Sequence, residues 1–167
     1  METIWNELTG GLTVSGDAVR VVFRLFASLI LGAVVGLQRE WSGKPAGLRT
    51  HILVSMGTTL VVVACLSIDI GNDGISRVIQ GIVTGIGFIG AGAILKQSQK
   101  MEVHGLTTAA GVWLTAAAGV AIGLGRTGIA FIGIAAGIAV LSLLGRFEVR
   151  MGWADPPKEE KHPSAGT

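Results

Sequence analysis

VRVVFRLFASLILGAVVGL, residues 19–37, carries its only charges, Arg20 and Arg24, in its first third and then runs uncharged from Leu25 to Leu37. A helix rises 1.5 Å per residue, so about 20 predominantly apolar residues cover the roughly 30 Å of a bilayer's hydrocarbon core. The run therefore predicts a transmembrane helix. A secretory leader is the rival reading, but no A-x-A-like cleavage site follows and four more apolar stretches do.

Those four stretches fall at about His51–Ile70, Arg77–Leu95, Gly105–Leu124 and Gly128–Gly145. None shows the strict apolar/polar alternation of an outer-membrane barrel, so their backbone amides must be satisfied within helices. The expected fold class is all-α, a polytopic membrane bundle of five transmembrane helices. Composition agrees: 50% of residues are hydrophobic and 14% charged, against about 25% charged in soluble domains. Residues 1–18 read as a short polar N-terminal segment, 19–148 as the membrane domain and 149–167 as a disordered cytoplasmic tail.

The orientation is predicted by Lys and Arg in the connections. Arg39, Lys44, Arg49, Lys96, Lys100, Arg146, Arg150, Lys158 and Lys161 fall on one side, against Arg20, Arg24, Arg77 and Arg126 on the other. The excess places the N-terminus outside and the C-terminus in the cytoplasm. Glu2, Glu7 and Asp17 keep the translocated end acidic.

Glycine is abundant, with 26 residues. In a soluble helix each costs about 1 kcal/mol relative to alanine, whereas in lipid small residues let helices approach closely. Ser28, Gly32 and Gly36 form a small-residue row on the first helix, and Gly81 and Gly85 begin one on the third. Gly111, Thr115, Gly119 and Gly123 form a third row, and Gly133 and Gly137 mark the fifth helix. The Ala- and Gly-rich fourth helix is expected at the centre, sheltered by its neighbours, with Trp113 as a packing anchor. GIGFIGAG, residues 85–92, superficially suggests a phosphate loop, but it lacks the preceding strand and the following lysine-hydroxyl pair.

The densest polar stretch is QREWSGKPAGLRTH, residues 38–51. Arg39, Lys44 and Arg49 serve as positive anchors there, or the tight loop around Gly43, Pro45 and Gly47 holds Glu40 near Arg49 and binds a lipid head group or a partner protein. Thr50 and His51 close this group. Arg24 shares a face with Ser28, Gly32 and Gly36, and either points into the bundle or snorkels outward. Asp69, Asp73 and Arg77 frame an outer loop, where paired carboxylates suit a weakly held hard cation or simple hydration. Thr107 and Thr108 stand where a hydroxyl caps free helix amides, and the lone interfacial His104 reads as a solvated side chain.

No catalytic constellation appears: there is no serine–histidine pair, HExxH or intramembrane acid dyad. The single Cys65, expected as a small buried hydrophobe, excludes an intrachain disulfide and a paired-thiol metal site. No metal or cofactor is expected, and no basic stripe interleaved with aromatics points to nucleic acid. The chain reads as non-enzymatic.

Four ordered blocks then carry a resemblance: RLFASLILGAVVGLQRE, AGLRTHILVSMG, RVIQGIVTGIGFIGAGAIL and VHGLTTAAGVWLTAAAGVAIGLG. Across about residues 20–145 the chain resembles the MgtC/SapB family of bacterial inner-membrane proteins. The family's motif positions match Arg39, Glu40, Gly47, Leu48, Arg49, Thr50, His51, Arg77, Gly85, Gly87, Gly90, Gly92, Gly105, Thr107, Thr108 and Trp113. The resemblance implies a bacterial plasma-membrane protein linked to magnesium limitation and, in some members, to virulence. It also implies a membrane-protein partner, with the F-type ATP synthase one candidate, and it carries an older reading as a magnesium transport accessory. Gln38 departs from the acid often found there, removing one partner for Arg39 or Arg49. Longer members carry an ACT-like soluble domain, whereas this sequence stops at Thr167. The expected function is regulation of magnesium or energy homeostasis through contact with another membrane protein. The alternative is an ion transporter or channel, as a single chain or a homo-oligomer, with Arg24, Glu40, Arg49 and Asp73 along its path.

Overall fold

A computed structural model describes residues 15–68, 70–97 and 102–151 of the chain. The expectations placed on residues 1–14, on Asp69, on Lys100 and on the tail from residue 152 lie outside the described residues. Five helices appear: α1 (Ser15–Trp41), α2 (Leu48–Leu66), α3 (Gly71–Ala93), α4 (Leu106–Gly123) and α5 (Thr127–Arg150). Each is long and apolar enough to cross a membrane, so the all-α, five-span architecture holds.

The helix ends depart from the expected ones. An apolar-run criterion stops at the first charges, but a helix continues through good helix formers until a breaker intervenes. Thus α1 extends past Leu37 through Gln38, Arg39, Glu40 and Trp41 and stops before Gly43 and Pro45. α3 also begins ahead of Arg77, at Gly71, favoured by Asp73 in the first turn, which complements the positive end of the helix, rather than by any strong helix propensity. Between α3 and α4 a short ribbon forms, in which β1 (Leu95–Gln97) pairs antiparallel with β2 (Glu102–His104), Leu95 opposite His104. The sequence carried no signal for it.

α4 contacts the other four helices and is the most buried span. Small side chains make this possible, since only a narrow cylinder can be approached from all sides. One of its faces joins Leu31 and Val35 of α1 and Ala130 and Ile134 of α5 through Ala118 and Ile122. A second face meets Ile86 of α3 through Val112 and Ala116. The third faces α2, where a side chain at Gly119 would strike the Thr58 hydroxyl and the Ser55 carbonyl. On α1, a Cβ at Gly32 would stand 2.9 Å from the Ile52 Cα, and one at Gly36 would stand 2.6 Å from the Leu48 Cα. These glycines fix backbone-to-backbone docking of α1 and α4 onto α2.

Two packing expectations are not met. A Cβ at Gly81 or Gly85 would meet no atom within 4 Å, because α3 touches α4 through Ile82, Ile86 and Gly90. Gly81 and Gly85 each precede one of these isoleucines by one position, about 100° around the helix. Trp113 is 48% exposed and forms one wall of a cleft with Ile79, Ile82 and Ile86, because its neighbour Val112 takes the packing position. Cys65 is half-buried.

The far end of α4 closes with a Schellman arrangement. Gly125 adopts φ +76°, its amide donates to the Ile122 carbonyl, and the Arg126 amide donates to the Ala121 carbonyl, each over 2.8 Å.

Candidate functional site

On α2, His51, Ser55 and Thr59 recur every four residues, and on α4 Thr108, Gly111, Thr115 and Gly119 repeat at three or four. Helical side chains at these intervals share a face, so the two rows meet along one seam. His51, Ser55, Thr59, Thr108 and Thr115 are all buried in it. In lipid such groups cannot exchange their bonds for water, so each must find a partner in the protein or in a ligand.

The partners run in order along the seam. Arg39, in the last turn of α1, is only 3% exposed and donates from Nη2 to the Thr108 Oγ1 over 2.6 Å. Next, His51 Nδ1 lies 2.7 Å from the Thr115 Oγ1, and that hydroxyl is 2.9 Å from the Gly111 carbonyl oxygen. Its single proton can serve either acceptor, so two arrangements fit: Thr115 donates to Gly111 and receives the Nδ1 proton, or it donates to Nδ1 and the ring keeps its proton on Nε2. Deeper, the Thr59 hydroxyl donates to the Gly119 carbonyl over 2.8 Å. At the opposite end Arg24 donates from Nη1 to the Gly123 carbonyl over 2.8 Å.

Three buried atoms of the seam are without partners: Arg39 Nε, His51 Nε2 and Ser55 Oγ. Among the described residues no carboxylate pairs with Arg39, and the ion pair present is the exposed Asp17–Arg20 contact at 3.3 Å. The seam is therefore a cationic, donor-rich interior enclosed by helix faces.

Of the residues singled out from the sequence, Arg39, His51 and Thr108 are brought together, and Arg24 stands at the other end. Arg24 points inward to a helix terminus rather than snorkelling. Glu40 does not pair with Arg49. Its Oε2 accepts the Leu48 amide over 3.0 Å, because α2 starts at Leu48 behind Gly47, which has no side chain with which to cap it. Arg49, Asp73, Arg77 and Thr107 are exposed and apart from the seam, and Thr50 is half-buried. Neither Thr107 nor Thr108 caps α4, whose N-cap is Gly105 at φ 95° with no side-chain cap. Sequence reasoning passed over Ser55, Thr58 and Thr59, although their helical spacing from His51 was a usable signal. It also read Thr115 only as a small packing residue.

The chain is 40% identical over 149 residues to Protein SrpB of Synechococcus elongatus, covering 83% of this chain and 81% of that protein. It is 39% identical over 138 residues to the Putative magnesium transporter YhiD of Escherichia coli strain K12, covering 78% of this chain and 63% of that one. It is 40% identical over 105 residues to Protein MgtC of Salmonella typhimurium, covering 63% of this chain and 44% of the relative. The chain thus spans less than two thirds of the length of the last two. No solved structure matches it. The MgtC family model matches residues 25–150, a range that holds the whole seam except Arg24, and this multi-pass membrane protein belongs to the MgtC family.

Proposed function

We propose that the protein is a non-enzymatic regulator of the bacterial inner membrane that acts in magnesium or energy homeostasis by helix-face contact with another membrane protein. The observation that carries this reading is the bare outer face of α3. Phe88 is 84% exposed, and Gly81, Gly85 and Gly92, which share its face, meet no atom within 4 Å. A glycine-lined helix face gives close backbone approach, the means by which spans associate where lipid removes any hydrophobic drive. Magnesium enters through the name of the relative YhiD, and the F-type ATP synthase is the partner suggested by family resemblance. A second copy of the chain is the other candidate for this face. The N-terminus lies outside and the C-terminus in the cytoplasm, following the excess of Lys and Arg in the connections on one side.

The test is site-specific photocrosslinking from Gly85 in cells grown in low magnesium. A discrete adduct with one other membrane protein supports the reading. Crosslinks to lipid alone count against it. Orientation is read by labelling Lys44→Cys and Asn72→Cys in a Cys65→Ser background with an impermeant maleimide: the proposed topology labels only position 72 from outside.

A transporter is the second reading, favoured by one observation: the guanidinium of Arg39 and the imidazole of His51 are buried along a seam that runs between three spans. Purified protein in liposomes that passes magnesium, and loses this on replacing His51, would move the assignment to transport.

A further inference from the structure

We infer that the first turn of α4, together with Arg39, forms a binding site for a phosphate-type oxyanion. α4 is an 18-residue helix, and its N-cap, Gly105, offers no side-chain acceptor. The amides of Leu106, Thr107 and Thr108 have no carbonyl one turn back within the helix to bond, and the aligned peptide dipoles place partial positive charge there. Glycine is imposed at position 105 by two constraints: its φ of 95° and the Ala93 carbonyl, which a Cβ would strike. The lack of a capping side chain is therefore built into the path of the chain.

A second observation points independently to an anion. Arg39 is almost wholly buried, docks its Nη2 on Thr108 in this same turn, and leaves Nε with no partner. No carboxylate compensates it among the described residues. A guanidinium beside the positive end of a helix is repelled by it, and burial amplifies the repulsion. Water would satisfy the Nε proton but not the charge. An anion lying between the amides and the guanidinium satisfies both, as anions do at other helix N-termini. Several donors converging from backbone and guanidinium suit an acceptor with several oxygens better than a halide. Access is available, since Leu106 is 59% exposed and Thr107 is exposed, while Arg39 lies behind them. α4 begins at the end of a membrane span, so the oxyanion has two possible sources: free phosphate and the phosphodiester of a lipid head group.

The test uses full-length protein in a maltoside detergent, which carries no phosphate, with 15N-labelled threonine. Sodium phosphate is titrated against sodium chloride at matched ionic strength, and dihexanoylphosphatidylglycerol is titrated in a parallel arm. Saturable shifts of the Thr107 and Thr108 amides, with Thr58, Thr84 and Thr127 unmoved, are expected in at least one arm, and the responding arm identifies the source. Arg39→Lys keeps the charge but removes the Nε donor, and is expected to weaken the saturation by about tenfold. If that variant does not fold, the wild-type titration stands as the test. The inference is overturned if neither probe shifts these two amides, or if both act equally on wild type and Arg39→Lys.

Discussion

Arg24 of α1 is the final cap of α4: its Nη1 donates to the Gly123 carbonyl over 2.8 Å. The Schellman bonds from Gly125 and Arg126 occupy the Ile122 and Ala121 carbonyls, and Leu124 takes that of Val120. Gly123 is the carbonyl of that turn left over, and a cation from another helix takes it. The same contact places positive charge at the negative end of the α4 dipole, so one side chain ties two spans together and completes a terminus.

Replacing Arg24 with Ala is therefore expected to destabilise the bundle by about 1–2 kcal/mol. Arg24→Lys retains the charge and is expected to keep about half of that contribution. Trp fluorescence during denaturation in mixed micelles measures both. Equal stability of all three proteins would show that the contact contributes nothing.

Gly119 and Gly85 are opposite cases of the same residue type. Gly119→Val pushes a branched side chain into the Thr58 hydroxyl and the Ser55 carbonyl, and is expected to cost about 3 kcal/mol. Gly85→Ala meets open space within the chain and is expected to change its stability by less than about 0.5 kcal/mol. Thermal aggregation of membrane extracts separates the two outcomes. If the Gly85 variant is the less stable, the order of the helix contacts described here is wrong.

The seam makes a graded prediction. Thr59→Val removes the donor to the Gly119 carbonyl while keeping the shape, with an expected loss of about 0.6–1.7 kcal/mol. Thr115 and His51 share a bond and should be non-additive. A double-mutant cycle with Thr115→Val and His51→Ala is expected to return a coupling of about 1 kcal/mol. Strict additivity would mean that the 2.7 Å contact carries no energy.

Glu40 behaves as a remote cap for α2. Glu40→Gln retains an oxygen for the Leu48 amide and is expected to be near neutral, whereas Glu40→Ala should cost about 0.5–1 kcal/mol. Exchange of the Leu48 amide with deuterium reports it directly, and should quicken in the Ala variant alone.

The five spans were legible because hydrocarbon thickness and helical rise demand runs of a fixed length, and the chain supplies five of them. The small-residue rows of α1 and α4 were legible for the same kind of reason, since glycine at intervals of four residues has few uses in lipid other than close packing. The β1–β2 ribbon was not, because three residues per strand leave no periodicity to read. A tight loop holding Glu40 near Arg49 is only one of the two readings that residues 38–51 allow, and the start of α2 three residues earlier than expected gives the Glu40 carboxylate a backbone amide instead.

The amino-acid sequence by itself determined the solvent, the number of spans and the helices able to approach one another, because these follow from local composition and period. Only the tertiary structure decided which of those faces are used. Gly119 packs and Gly85 does not, Trp113 is a cleft wall, and Arg39 turns inward to Thr108 while Arg49 stays outside. The physical reason is that a helix's own sequence sets the angular positions of its side chains relative to one another. Which of those angles faces a neighbour is set by the rotation and crossing of two helices, a property of the pair.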